Sequence, residues 1–250
     1  MTQITWNAPG ERFFEAGVDH GVLYIDGADG VPWNGLISVS ESPSGGDVTP
    51  YYIDGVKYLN DVGPEEFEAT IEAFTYPDEF AQCDGTLAVG NGLFTTQQQK
   101  KSFGLAYRTL IGNDLDGVDH GYKIHLVYNA TASPSEHSHG TQTETIDSNN
   151  FSWHLVTKPP SFVGYKPTAH FVIDSRETPS DLMNTINDIL YGSATSAPRL
   201  PSVPELLFIF GEYETSIFDA GYLTEEYFVS FDAGSPPSTP ETSVIDGGTP

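Results

Sequence analysis

The residues most able to do chemistry are few. Glu136-His137-Ser138-His139 places two imidazoles one residue apart, which could be offered to a metal. The stretch around them is rich in Ser, Thr and Pro and reads as a loop, and no second ligand cluster at fixed spacing accompanies it. Solvated histidines account for the pair better than a metal does. Asn113-Asp-Leu-Asp-Gly-Val-Asp119 has the alternating acids and the glycine of a calcium loop. With Gly117 set on that glycine, Asp114 and Asp116 fit, but the first and last ligand positions fall on Gly112 and Lys123, which cannot serve. A turn between strands is the better reading. Cys83 is the sole cysteine; an apolar, buried role suits it better than that of a nucleophile. Paired carboxylates occur everywhere in a chain with 35 Asp and Glu, so a glycosidase-like pair can be drawn by chance. No Gly-x-Ser-x-Gly elbow, P-loop, His-Glu-x-x-His or Cys-x-x-Cys occurs. The expectation is a protein that is not an enzyme, with no cofactor and no metal.

The charge is more informative. Ten Lys and Arg stand against 35 acids, a net of −25 over 250 residues. Such a surface repels nucleic-acid phosphates and anionic lipid, so binding to either is disfavoured. The acids are unevenly spread. Residues 1–80 hold 15 acids and 2 bases, 81–170 hold 7 and 6, and 171–250 hold 13 and 2. A solubilising surface explains this; so does one face or one lumen carrying most of the charge. The single cysteine excludes a disulfide-stapled scaffold, and the N-terminus shows no signal-peptide pattern. No run approaches the length of a membrane span.

The elements that must position these groups are mostly strands. Gly21–Ile25 reads as a strand ending at Asp26-Gly27. Tyr51-Tyr-Ile, Asp54-Gly55 and Val56-Lys-Tyr-Leu form a two-residue hairpin signal. Across 66–74, Phe67, Ala69, Ile71 and Ala73 alternate with Glu66, Glu68, Thr70 and Glu72. Glu and Ala also favour a helix there; Pro77 and the aromatic content favour a strand. Phe103–Ile111 and Tyr122–Tyr128 read as an antiparallel pair with a long, turn-rich connection over 112–121. Phe151–Thr157, Thr168–Ile173 and Leu206–Phe210 add three more strands. One helix is signalled: Thr178 as N-cap, Pro179 at the first position, an apolar face of Leu182, Met183, Ile186, Ile189 and Leu190, and Gly192 as the stop. The division is one domain over 1–232 and a Gly/Ser/Thr/Pro-rich arm over 233–250, in which Pro236 and Pro237 oppose regular structure. Segments 38–50 and 233–250 are expected to be partly disordered in a free subunit.

Several phrases of the chain carry a resemblance. Trp6–Tyr24, Val31–Leu36, Tyr51–Tyr58, Glu66–Pro77, Phe103–Asp114, Tyr122–Asn129 and Pro167–Ser175 resemble segments of the major tail proteins of phages with long, non-contractile tails, especially those infecting actinobacteria. They spread over residues 6–175; residues 176–250 match less distinctly. The resemblance implies a tail tube subunit. Its fold would be a mainly β (α+β) sandwich, or paired antiparallel sheets, with one flanking helix, long loops and an extended C-terminal arm. Six subunits would close a ring whose sheets join into an inner barrel, and rings would stack into a tube through which DNA passes unbound. Implied partners are the chain itself and the tape-measure, tail-tip and terminator proteins. The implied place is the virion tail, assembled in the host cytoplasm.

On that basis Glu66, Glu68 and Glu72 are candidates for the lumen, because an alternating acidic row would line a barrel wall. A solvated outer face explains them equally well. Tyr51, Tyr52 and Tyr58 in the hairpin, with Pro236 and Pro237 in the arm, are candidates for ring contacts. A distal or minor tail-tip protein of the same fold is the second reading. A carbohydrate-binding module or secreted hydrolase, resting only on the aromatic count and the β content, is the third.

Overall fold

A computed structural model of the chain describes residues 4, 6–134, 150–162 and 164–211. The arm over 233–250, with Pro236 and Pro237, and the His137/His139 pair lie outside the described residues, as does the boundary at 232/233 between domain and arm.

The chain is mainly β, with antiparallel sheets and few helices. In order, its elements are β1 (Phe14–Tyr24), β2 (Val31–Pro32), β3 (Leu36–Glu41), β4 (Ser44–Gly45), β5 (Val48–Ile53), β6 (Val56–Val62), β7 (Glu65–Glu66) and β8 (Glu68–Ala73). There follow the short helix α1 (Ala81–Asp84), β9 (Leu87–Gly90), β10 (Leu93–Thr95), β11 (Phe103–Asn113), β12 (Gly117–Pro134), β13 (Phe151–Thr157), β14 (His170–Asp174), α2 (Ser180–Tyr191) and α3 (Val203–Ile209).

One eight-stranded sheet runs β2-β1-β11-β12-β13-β8-β3, with β14 also pairing β12. The long β12 belongs to both halves. Its first part pairs with β11 and β14; its last part, beyond the positive-φ Asn129, pairs with β13. The half made of β13, β8 and β3 packs over the other through a common core that includes Leu23, Trp33, Ile71, Leu105, Trp153 and Leu155. The opposite face of β11, β12 and β14 carries Ala106, Ile124, Leu126 and Ile173, and α2 and α3 cover it with Met183, Ile186, Leu190, Val203 and Leu206. Strands with a layer on each side should be apolar at successive positions. Phe103–Tyr107 and Ile124–Tyr128 are buried throughout.

The strands over 103–111, 122–128 and 151–157 stand where the apolar patterns placed them. The helix does too, although it starts at Ser180 with Pro179 in the capping position, one residue later than the Thr178 reading. Three expectations need correction. Leu206–Phe210 is not a strand: Leu206 to Ile209 belong to α3, whose start is closed by a capping box between Ser202 and Glu205. The connection over 112–121 is a tight turn. Asn113 Oδ1 accepts from the N–H groups of Leu115 and Asp116, and Gly117 takes φ +63°, so β12 begins at once. Segment 38–50 is built into strands, with β3 paired to β8 in the main sheet.

Candidate functional site

The β5–β6 hairpin stands apart as a separate two-stranded sheet. Asp54 and Gly55 both have positive φ, +52° and +76°, as the primed hairpin turn requires. Every residue of both strands is exposed. These include Val48, Tyr51, Tyr52, Val56, Tyr58 and Val62, at 51–69% exposure, so among the described residues neither face of the ribbon is covered. An isolated two-stranded ribbon is marginal in water. One that also exposes three tyrosines and three valines has the composition of a contact surface. The tyrosines singled out in the sequence, Tyr51, Tyr52 and Tyr58, all lie here. Among the described residues the main sheet also ends in β2 on one side and β3 on the other, which leaves two strand edges for pairing.

The acidic row divides. Glu68 and Glu72 share the outward face of β8, while Ala69, Ile71 and Ala73 point into the core. Glu66 is not in that row: it sits exposed in β7, which pairs with β4. Cross-strand partners extend the outward face with Ser38 and Ser40 on β3 and Ser152 and His154 on β13. Glu68 accepts from Ser44 Oγ and lies 3.1 Å from His154 Nε2; Glu72 accepts from Ser38 Oγ at 3.3 Å. This half of the sheet therefore has one apolar face and one hydroxyl-rich, acidic face.

A third feature was not visible in the sequence. Register places Glu41 on the inward face of β3, opposite Ala69 and Leu155. It reaches across to the other half of the sheet. Tyr107 Oη donates to Glu41 Oε1 at 2.7 Å, and His125 Nδ1 lies 3.3 Å from the same oxygen. His125 Nδ1 is also 3.1 Å from His170 Nε2, and His125 Nε2 is 3.1 Å from Thr109 Oγ1. Tyr107 and His125 stack, His125 and His170 stack, and Phe67 covers His170 with ring centres 4.3 Å apart. Hydrogen bonding from His125, helped by Tyr107 and opposed by desolvation, holds the Glu41 carboxyl down at about 2. Burial, with His125 alongside, pushes His170 down to about 4. Glu41, His125 and His170 are 84 and 45 residues apart, so only the topology brings them together.

The remaining candidates stay separate. Asp114 accepts from the Gly10 N–H, and Asp116 bonds to Asn113 and His120; these contacts stitch a turn. Cys83 is buried in α1, and burial pushes its thiol up to about 11. A cleft of about 480 Å³ beside Tyr24, Gly104, Tyr128 and Leu200 presents no reactive pair. Its tyrosine hydroxyls donate to the Leu190 and Pro201 carbonyls, and Arg199 pairs with Glu205. Among the described residues, no helix is long and apolar enough to cross a membrane.

No family model matches the chain, and no curated protein matches it. Among solved structures it is similar to a chain of the anti-feeding prophage baseplate, at 8% identity over 68% of this chain and 97% of that one, with a TM-score of 0.34. It is also similar to a chain of the sheath–tube complex of an extracellular contractile injection system, at 16% identity over 68% and 94%, TM-score 0.30. A chain of the anti-feeding prophage tube-terminating cap matches at 12% identity over 70% and 96%, TM-score 0.32. At these TM-scores the likenesses carry no functional weight.

Proposed function

We propose that the chain is a non-enzymatic structural subunit of a phage tail tube, self-assembling into stacked six-membered rings that conduct the genome. The observation that carries this is the β5–β6 hairpin, with apolar side chains on both faces and no cover among the described residues. Its occupant is a second copy of the same chain. Fully burying a large apolar side chain contributes about 1.5–3 kcal/mol. Covering three of the six would contribute roughly 5–9 kcal/mol per subunit before ordering costs. The open edges at β2 and β3 support the same reading, since sheets that join between subunits lose their edges. The resemblance of several phrases to major tail proteins agrees with it.

The outward face of β13, β8 and β3 is the proposed lumen wall. Glu68 and Glu72 would keep passing DNA from sticking, the reverse of a binding groove. Glu66 adds charge nearby without sharing that strand face. The tape-measure, terminator and tail-tip proteins are the proposed partners, and the virion tail the proposed location, with assembly in the host cytoplasm.

The test is negative-stain electron microscopy of purified protein across concentrations, with mass by light scattering. The expected result is rings or tubes of constant diameter with a central channel. A monomer at every concentration, also when seeded with preformed tail-tip complexes, overturns the tube reading.

A further inference from the structure

We propose that Glu41, His125 and His170 form a binding site for a single zinc ion, which fastens β3 to the β12–β14 layer across the core. The site is independent of the assembly reading.

The donor set points to this metal class. Two imidazole nitrogens and one carboxylate suit zinc and its borderline neighbours; calcium and magnesium take oxygen shells. The spacing also fits. In a tetrahedral site with metal–ligand bonds of about 2.0–2.1 Å, ligand atoms lie roughly 3.3 Å apart. His125 Nδ1 is 3.1 Å from His170 Nε2 and 3.3 Å from Glu41 Oε1, and all three ligand atoms lie within 4.8 Å of one another. Small side-chain movements centre an ion among them.

The surroundings are those of a prepared site. Metal-binding imidazoles are held by hydrogen bonds from their second nitrogen, and bound carboxylates are themselves hydrogen-bonded. With Nδ1 of His125 on the metal, its Nε2–H donates to Thr109 Oγ1, already 3.1 Å away. Tyr107 Oη donates to Glu41 at 2.7 Å. Tyr107, His125 and His170 stack in sequence and Phe67, tilted by 33°, covers His170, which limits ring rotation. His125 is almost fully buried, whereas the Glu41 side chain is 38% exposed and gives the ion its way in. Water takes the fourth position.

The experiment uses the full chain, free of any affinity tag and stripped with chelator. It is titrated with zinc chloride by calorimetry, with thermal unfolding in parallel. Expected are one zinc per chain and a rise in Tm of about 5–10 °C at a hundredfold excess over Kd. Cobalt substitution should give the intense visible bands of a tetrahedral site, and magnesium should produce neither heat nor a Tm shift. His170→Gln and Glu41→Gln, chosen because His125 is too buried to remove safely, should each weaken zinc binding at least tenfold while the metal-free variants still unfold cooperatively. The double variant His137→Ala/His139→Ala should bind like wild type. No zinc binding up to 1 mM (about the weak limit of a useful site), or binding abolished by the double variant and untouched by His170→Gln and Glu41→Gln, overturns the proposal.

Discussion

Two antiparallel hairpins of this chain meet opposite fates. The β11–β12 pair lies between two layers, with Leu105, Tyr107 and Val127 in one core and Ala106, Ile124 and Leu126 in the other. The β5–β6 pair has a comparably tight turn and aromatic, β-branched strands, yet all its residues stay exposed. Local pattern is therefore enough to form a ribbon but not to say what covers it. The first pair is completed within the monomer. The second is completed, on the reading proposed above, only between monomers.

The largest expected effect comes from cutting into the covered side. Trp153 packs against Trp33, Phe80 and Tyr76, and its Nε1 donates to Asp84. Trp153→Ala should cost about 3–5 kcal/mol, read as a fall in the urea midpoint with an unchanged slope. Tyr52→Ser/Tyr58→Ser should shift the monomer's midpoint by less than about 0.5 kcal/mol, as surface changes do, while abolishing rings and tubes in micrographs. If the double variant unfolds the monomer as Trp153→Ala does, the contrast between the hairpins is wrong.

A smaller effect sharpens the point. Gly55, at φ +76° with open space around it, tolerates a side chain sterically but not conformationally. Gly55→Val should cost on the order of 1–2 kcal/mol, felt only by the hairpin. Amide exchange should accelerate over 48–62 and stay unchanged over 103–128.

The smallest effect is electrostatic. Asp19 pairs with Arg108 through two hydrogen bonds of 2.7 Å between β1 and β11. These bonds, opposed by partial burial, hold the Asp19 carboxyl below its ordinary value. The pair's contribution is thus complete above the unfolded carboxylate's pKa, near 4, and is lost as pH falls through the lower folded value. The groups are partly exposed, so the amount is on the order of 1 kcal/mol or less. Asp19→Asn should flatten that part of the stability curve below about pH 4 and leave hairpin exposure unchanged; denaturant titrations at pH 3 and 7 compare them.

Much of this was legible in residue order, for physical reasons. Asp54-Gly55 announces its own turn because few residues accept two successive positive φ values. The alternation from Glu68 to Ala73 announces a sheet with one dry and one wet face. The five-residue apolar run at Leu206 does not distinguish strand from helix, and the spacing from Ser202 to Glu205 was the better signal. The turn within 112–121 is tighter than its composition suggests because Asn113 closes it with its own side chain. Glu41, His125 and His170 could not be gathered from sequence. They meet only because β12 serves both halves of the sheet and turns the inward face of β3 toward β14.

The placement of Cys83 has a practical consequence. As the sole cysteine, fully buried and with its thiol pushed up to about 11, it is inert to alkylating reagents while the fold stays closed. Its labelling rate is therefore a clock for opening of the core, readable by mass spectrometry without any introduced probe. In a polymer the same clock would tick more slowly wherever neighbours restrain that opening, giving each subunit a record of how firmly it is held.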